Sequence, residues 1–281
     1  MKKVLVTGCK GYIGQHLMKM LANYRYDVYG IDKVPTTYGE KSALLNIMYD
    51  VNEAPWWFSD IPTKFDTIIH LAAKVRVNES VEQPWLYYDT NINGTKFLLE
   101  NLEFKNFLFA STGAAESCGS PYAISKRVAE DIVAEHCQKN NCNFVNYRFY
   151  NVIGSDGFPP TNPDGLFWNL IQAQKTGVFK LYGDDWNTVD GSCVRDYVHV
   201  NDIAKSLING IETPTCQIEN LGTGVGTTVK QMVEIFQEVN NSDFEVQVLP
   251  RRPGDVESTV LKNVSPLMSK MYDFTDLMRV P

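Results

Sequence analysis

A tyrosine and a lysine four residues apart, Tyr122 and Lys126 in SPYAISK, form the most reactive pairing in this chain. Four residues is about one helical turn, so on a helix both side chains share a face and the ammonium can stand near the phenol. A free tyrosine ionises near about pH 10, and a neighbouring cation favours its phenolate. The spacing predicts that Tyr122 serves as a base near neutrality. Taken alone, YxxxK also describes two unrelated surface residues, so the reading needs a second feature.

That feature opens the chain. In MKKVLVTGCKGYIGQHL, Gly8, Gly11 and Gly14 stand three apart at the end of an apolar run. A GxxGxxG turn lets the main chain bend tightly, admits a pyrophosphate against the backbone and brings the following helix close to the sheet. The same glycines would also serve a plain tight connection. Asp32 adds direction: it ends DVYGID, where a carboxylate accepts hydrogen bonds from ribose hydroxyls and repels a 2′-phosphate. This favours NAD, while the adjacent Lys33 leaves NADP open and an ordinary turn role for Asp32 remains the alternative. A cationic nicotinamide ring would add to Lys126 in favouring the Tyr122 phenolate.

These groups need elements to hold them. Val4 to Thr7 reads as a strand, and Gly14 to Asn23 has helical spacing with Ile13, Leu17, Met20 and Leu21 on one side. DVYGID, TIIHLAA, FLFAST and NFVNYRF read as further strands separated by helical stripes, which predicts an α/β fold: a Rossmann-type, doubly wound parallel sheet covered on both faces. After NVIG the chain becomes rich in Pro, Gly, Asp and Asn, which predicts a second, smaller lobe. Trp56 and Trp57 are expected to pack under a connection.

Composition narrows the partners. A formal charge of −7 argues against broad affinity for nucleic acid or an anionic membrane. No apolar stretch is long enough to span a bilayer, and the six cysteines contain no CxxC pair, so reduced thiols and a cytoplasmic setting are expected. Four histidines without HxxxH or HExxH spacing give no metal site.

The chain resembles the extended short-chain dehydrogenase/reductases, and within them the UDP-glucose (UDP-galactose) 4-epimerases. TGCKGYIG is similar to the family's TGxxGxxG turn, HLAAKVRVNES to its HxAAxxxVxxS segment, DTNINGT to its Asn-containing helix start and YAISK to its YxxxK. RFYNVIG, DGSCVRDYVHVNDIA, NLGTGVG and PRRPGD resemble epimerase segments and point from the cofactor fold to a nucleotide sugar.

The resemblance implies roles. Tyr122 is the base, Lys126 binds the nicotinamide ribose, and Thr112 supplies a hydroxyl to the sugar, with Ser111 as runner-up. Gly8, Gly11, Tyr12, Ile13, Gly14, Asp32, Lys33, Asp50, Val51, Leu71, Ala72, Ala73, Asn91 and Phe149 surround NAD, with Asp50 on the adenine. Asn151, Leu166, Tyr182, Arg195, Arg252, Asp255 and Thr259 surround the UDP-sugar: guanidiniums on the diphosphate, a carboxylate on the uridine ribose, an aromatic ring beside the uracil and Thr259 beside the C2 substituent. Residues 1–155 then form the NAD-binding domain, with a segment near 192–222 returning to it, and residues 156–281 form the nucleotide-sugar lobe; a homodimer is implied. The implied chemistry inverts C4 through a 4-ketose, with the C4 hydride held by NAD while the sugar turns.

Three features depart from the family pattern. Only GAAESCGSP separates Thr112 from Tyr122, Gly165 stands where an asparagine often meets the diphosphate, and the chain is shorter than the usual member. The alternatives are a nucleotide-sugar dehydratase or reductase, against which Gly113 and Ala114 stand where a dehydratase carries Asp-Glu, and a non-catalytic NAD-binding protein.

Overall fold

The computed structural model describes residues 1–33, 62–252, 254–262 and 278–280. Asp50, Val51, Trp56 and Trp57 lie outside them. Two compact units emerge, one built from Met1–Arg148 and Ala204–Glu219, the other from Phe149–Ile203 and Asn220–Pro281. The returning segment is thus narrower than the sequence suggests, and the main break falls at Arg148 rather than near residue 155.

The first unit is organised by a six-stranded sheet. Its strands are β1 (Lys2–Thr7), β2 (Tyr26–Ile31), β3 (Lys64–His70), β4 (Glu103–Thr112), β5 (Asn143–Phe149) and β9 (Cys216–Leu221), in the order β2-β1-β3-β4-β5-β9. β1 pairs in parallel with both β2 and β3, and β3 with β4. Strand order reverses beside β1, the switch point at which doubly wound sheets open a crevice beyond their carboxyl ends. Helix α1 (Tyr12–Leu21) follows β1 directly, starting two residues before the apolar spacing suggests. Short helices α2 (Val77–Glu82) and α3 (Pro84–Tyr87) lead through a π-helical turn, Tyr88–Asn93, into α4 (Gly94–Asn101). The long α5 (Pro121–Asn140) is capped by the Ser120 side chain, which accepts from Ala123 N, and carries Pro121 in its first turn, where a missing N–H costs nothing.

Strand alternation assigns the faces. Leu5, Ile68, Phe107 and Phe109 pack with Leu98 and Leu99 of α4 and Ala129, Val133 and Cys137 of α5. Each fully buried Leu, Ile or Phe side chain here stabilises by about 1.5–3 kcal/mol relative to exposure. On the opposite face, α7 (Val200–Glu212) approaches closely: a Cβ at Gly210 would come within 2.5 Å of the Tyr147 hydroxyl and 3.0 Å of Leu108 Cδ1.

The second unit contains β6 (Asn151–Ile153), α6 (Leu166–Thr176), β7 (Val178–Tyr182), β8 (Val194–His199), β10 (Gly226–Thr228), α8 (Val229–Val239), β11 (Glu245–Leu249) and β12 (Ser258–Thr259). β8 is the hub: β6 and β12 join it in parallel and β10 antiparallel, while β11 and β7 form a separate parallel pair. Its core gathers Phe167, Leu170, Phe179, Leu181, Met232 and Phe236. Thr228 and Gln231 close a capping box at the head of α8.

Candidate active site

The turn after β1 has the geometry that a dinucleotide needs. Gly8 adopts φ +73°, and its N–H donates to Ile31 O at 2.7 Å. A Cβ on Gly8 would lie 2.7 Å from Ala72 N, and one on Gly14 would overlap the Gly8 carbonyl, so both positions exclude a side chain. Gly11 is the N-cap of α1 and makes no side-chain cap hydrogen bond to the first turn, where Tyr12, Ile13 and Gly14 lie. Asp32 Oδ2 accepts from Lys10 N at 2.8 Å, tying the end of β2 to the turn, and Lys33 is exposed. Bare backbone at two close approaches and a carboxylate at the β2 end fit the pyrophosphate and ribose of NAD.

Behind the turn runs a buried polar chain that the sequence did not reveal. Ala72 N donates to Thr7 Oγ1 at 3.2 Å, and Thr7 Oγ1 meets His70 Nδ1 at 2.6 Å. His70 Nε2 meets Thr95 Oγ1 at 3.1 Å, and that hydroxyl donates to Asn91 O at 2.7 Å. Thr95 therefore accepts from Nε2–H, which leaves Nδ1 to accept from Thr7 and fixes a neutral tautomer. Burial, with the Lys126 charge second, pushes His70 down to about 3. Asn91, in the π-helical turn, accepts from Lys74 N at 2.8 Å and donates to Lys74 O at 3.0 Å. Its amide thus holds the chain just past Leu71, Ala72 and Ala73, a supporting position beneath the segment assigned to the cofactor.

At the end of β4, two adjacent hydroxyls take different partners. Ser111 Oγ donates to Glu130 Oε1 at 2.5 Å in the interior, whereas the Thr112 hydroxyl accepts from Ala114 N at 3.3 Å and acts to lower the pKa of the Tyr122 phenol. Thr112 is therefore the hydroxyl beside the tyrosine, and a 3-10 turn, Gly113–Glu116, carries the chain from it towards α5. Lys126 is 3% exposed, and its Nζ stands 4.2 Å from the centre of the Phe109 ring.

In the chain by itself, burial outweighs any effect of Lys126 on the phenol. Burial pushes Tyr122 up to about 12, and the Thr112 hydroxyl acts in the opposite direction. The lysine is itself pushed down to about 7 by burial, with the Glu130 charge acting in the opposite direction. Helical spacing brings the two residues onto one face, but the ammonium rests on Phe109, and desolvation dominates the phenol.

The second unit gathers the remaining residues in two groups. Arg195 lies on β8 in register with Thr259 of β12, and its Nη1 donates to Val194 O at 2.9 Å. Asn151 Nδ2 donates to Asp196 O at 3.1 Å, so Asn151 and Arg195 border one carboxylate-bearing residue. Asp196 is fully buried: it accepts from Thr223 N, Thr223 Oγ1, Gly224 N and Leu261 N at 2.7–3.2 Å, binding the NLGTG loop to β8. In the other group, the Arg252 guanidinium stacks over Tyr182 at 4.6 Å and donates from Nε to Asp255 Oδ2 at 3.0 Å. Leu166 is the first residue of α6, behind the bare N-cap Gly165, and Phe149 is a buried residue at the end of β5.

The family model described as NAD dependent epimerase/dehydratase matches residues 4–217, from the strand before the glycine turn through the Tyr122 helix and into β9. The chain belongs to this family. UDP-glucose 4-epimerase of Caenorhabditis elegans is 32% identical over 307 aligned positions, covering 91% of this chain and 88% of the relative. A UDP-glucose 4-epimerase from Bifidobacterium longum, solved with NAD+ and UDP, matches with a TM-score of 0.85 at 26% identity, over 98% of this chain and 96% of that one. A UDP-N-acetylglucosamine 4-epimerase from Methanobrevibacter ruminantium M1, solved with UDP-N-acetylmuramic acid, matches with a TM-score of 0.82 at 28% identity, over 99% and 96%. The epimerase/dehydratase fold thus extends over both units, and Arg252, Asp255 and Thr259 lie past the stretch that the family model matches. No helix among the described residues is long and apolar enough to cross a membrane.

Proposed function

We propose that this chain is an NAD-dependent 4-epimerase that inverts C4 of a UDP-hexose through a 4-keto sugar. The observation that carries this reading is the glycine turn after β1, which excludes side chains at Gly8 and Gly14 as a dinucleotide requires, in one unit with Tyr122 and Lys126 one turn apart on α5. Gly8, Gly11, Tyr12, Ile13, Gly14 and Asp32 would hold NAD, with Leu71, Ala72 and Ala73 along the β3 end. Bound NAD supplies the acceptor for the C4 hydride, returns the same hydride and contributes a cationic ring. Tyr122 takes the proton from the sugar O4 and gives it back, and Thr112 holds that oxygen in line with the phenol. Lys126 supports the phenolate as an ammonium.

Inversion requires a firm grip on UDP and a loose one on the sugar. Arg252, over the Tyr182 ring and oriented by Asp255, presents the planar fork that matches phosphate oxygens, and Arg195 adds a second guanidinium. Asn151, Leu166 and Asp255 complete the nucleotide grip. The protein works as a cytoplasmic homodimer on this reading, with an exposed apolar strip of Val81, Trp85, Ile124 and Val128 on α2, α3 and α5 as the shared face; Trp85 is 76% exposed. Incubating the purified protein with NAD and UDP-galactose and following UDP-glucose by chromatography tests the activity. NAD binding without any product would favour the non-catalytic alternative.

A further inference from the structure

Three charged side chains are buried together where α5 crosses β4 and β5. Glu130 is 1% exposed, Lys126 3% and Arg148 7%. Arg148 grips Glu130 with two bonds, Nε to Oε1 at 2.9 Å and Nη2 to Oε2 at 2.7 Å, and Ser111 Oγ adds a third to Oε1. Asn146 Nδ2 donates to the Glu130 carbonyl at 3.2 Å, so the backbone of α5 is also tied to β5. Buried ion pairs of this kind give little net stability compared with apolar packing, so their presence calls for another reason.

The charges around Lys126 supply one. On α5 it faces Glu130 one turn along and Tyr122 one turn back; β4 presents uncharged Phe109 and Ser111, β5 presents Arg148, and β3 presents His70, which is neutral in its hydrogen-bonded tautomer. Glu130 is the carboxylate among these groups, and its charge acts on Lys126 against burial. We propose that Glu130 is a positioning residue: clamped by Arg148 and Ser111, its carboxylate holds Lys126 as an ammonium and fixes α5 so that Tyr122 meets Thr112. This rests on reading Lys126 as the support of the Tyr122 proton transfer. The direction of the Glu130 effect on the lysine, upward against burial, agrees with it.

The test separates charge from shape. In protein labelled with carbon-13 at the lysine ε-carbon, the Lys126 resonance, assigned by its loss in Lys126→Met, is titrated without NAD. Glu130→Gln should lower its midpoint by roughly one unit or more, the usual effect of losing a close opposite charge, while Glu130→Asp should keep most of it. In the NAD-loaded enzyme, the loss of turnover on the alkaline side should move to lower pH in Glu130→Gln by the same amount and return towards the parent profile in Glu130→Asp. An unmoved lysine midpoint in a folded Glu130→Gln protein overturns the proposal. If that variant does not fold, Ser111→Ala, which loosens the clamp but keeps every charge, should leave the midpoint in place and lower turnover; an unchanged turnover overturns it. A shifted midpoint in a protein that epimerises nothing would leave the electrostatic coupling standing and remove the enzymatic reading instead.

Discussion

The Asn91 amide donates to the Ser125 hydroxyl at 2.9 Å, and that hydroxyl donates in turn to the Tyr122 carbonyl at 2.7 Å. Because Asn91 also holds both backbone groups of Lys74, one buried side chain joins the β3 end to the helix that carries the tyrosine. Asn91→Ala should cost about 1–3 kcal/mol by leaving these groups unpartnered. It should also weaken NAD binding. Urea denaturation and cofactor titration check it, and an unchanged midpoint would show that the link has no energetic weight.

Tyr122→Phe should lower turnover by at least about a hundredfold while sparing the fold and NAD binding, the usual scale for one positioned acid or base. Thr112→Val should fall between that variant and the parent, since it removes only the hydroxyl that acts against burial of the phenol. Steady-state rates at saturating UDP-galactose decide both. Near-parental turnover in Tyr122→Phe would mean that another residue takes the proton.

Lys126 gives a stability signature with a definite sign. Its folded value of about 7 lies below the ordinary 10.5, so as pH falls from 10.5 to 7 the unfolded chain binds a proton that the folded chain refuses. Stability should therefore rise with pH across that window and be insensitive to this group below it. Lys126→Met should flatten the slope and stabilise the protein near pH 7 by about 1–3 kcal/mol, as apolar replacement of a buried charge does. Glu130 keeps Arg148 as its partner in that variant. Denaturation midpoints across the window, alike in slope for both proteins, would contradict it.

The fold was legible because each of its signals was local. An apolar run ending in spaced glycines, four further β-prone runs and the helical stripes between them are enough to place a doubly wound sheet, and YxxxK marks the face of α5. The site was less so. Ser111 and Thr112 are equivalent in composition, and only the buried Glu130 separates their roles, although alternation with Phe107 and Phe109 would have put Ser111 on the α5 face. The pairing of Lys126 with Tyr122 followed from helix geometry, yet the phenol is governed by desolvation, which depends on the whole tertiary surround. Asp196 and Glu130 carried no signal at all, since a buried carboxylate looks like any other until its donors are known.

Asp32 has two consequences that one substitution can separate. Asp32→Ala should relax the preference for NAD over NADP, because the carboxylate that repels a 2′-phosphate is gone. It should also cost about 1 kcal/mol, since Lys10 N loses its acceptor. Parallel titrations of both cofactors are decisive: tighter NADP binding by the unmodified protein would reverse the assignment.

Thr259 decides which sugars fit, on the reading that it stands beside the C2 substituent. It sits on β12 in register with Arg195, so the strand that carries a proposed diphosphate anchor also fixes its neighbour. A small residue there leaves room for an acetamido group. An aromatic ring at this position cannot share space with the acetamido group, and overpacking a closed site costs about 1–3 kcal/mol, or roughly tenfold or more in turnover of the larger substrate. The unmodified protein should therefore epimerise both UDP-galactose and UDP-N-acetylgalactosamine, and Thr259→Tyr should keep the first and lose most of the second. If the unmodified protein handles only UDP-galactose, or if the tyrosine variant turns over both at parental rates, Thr259 is a packing residue of the β8 sheet and the gate lies elsewhere.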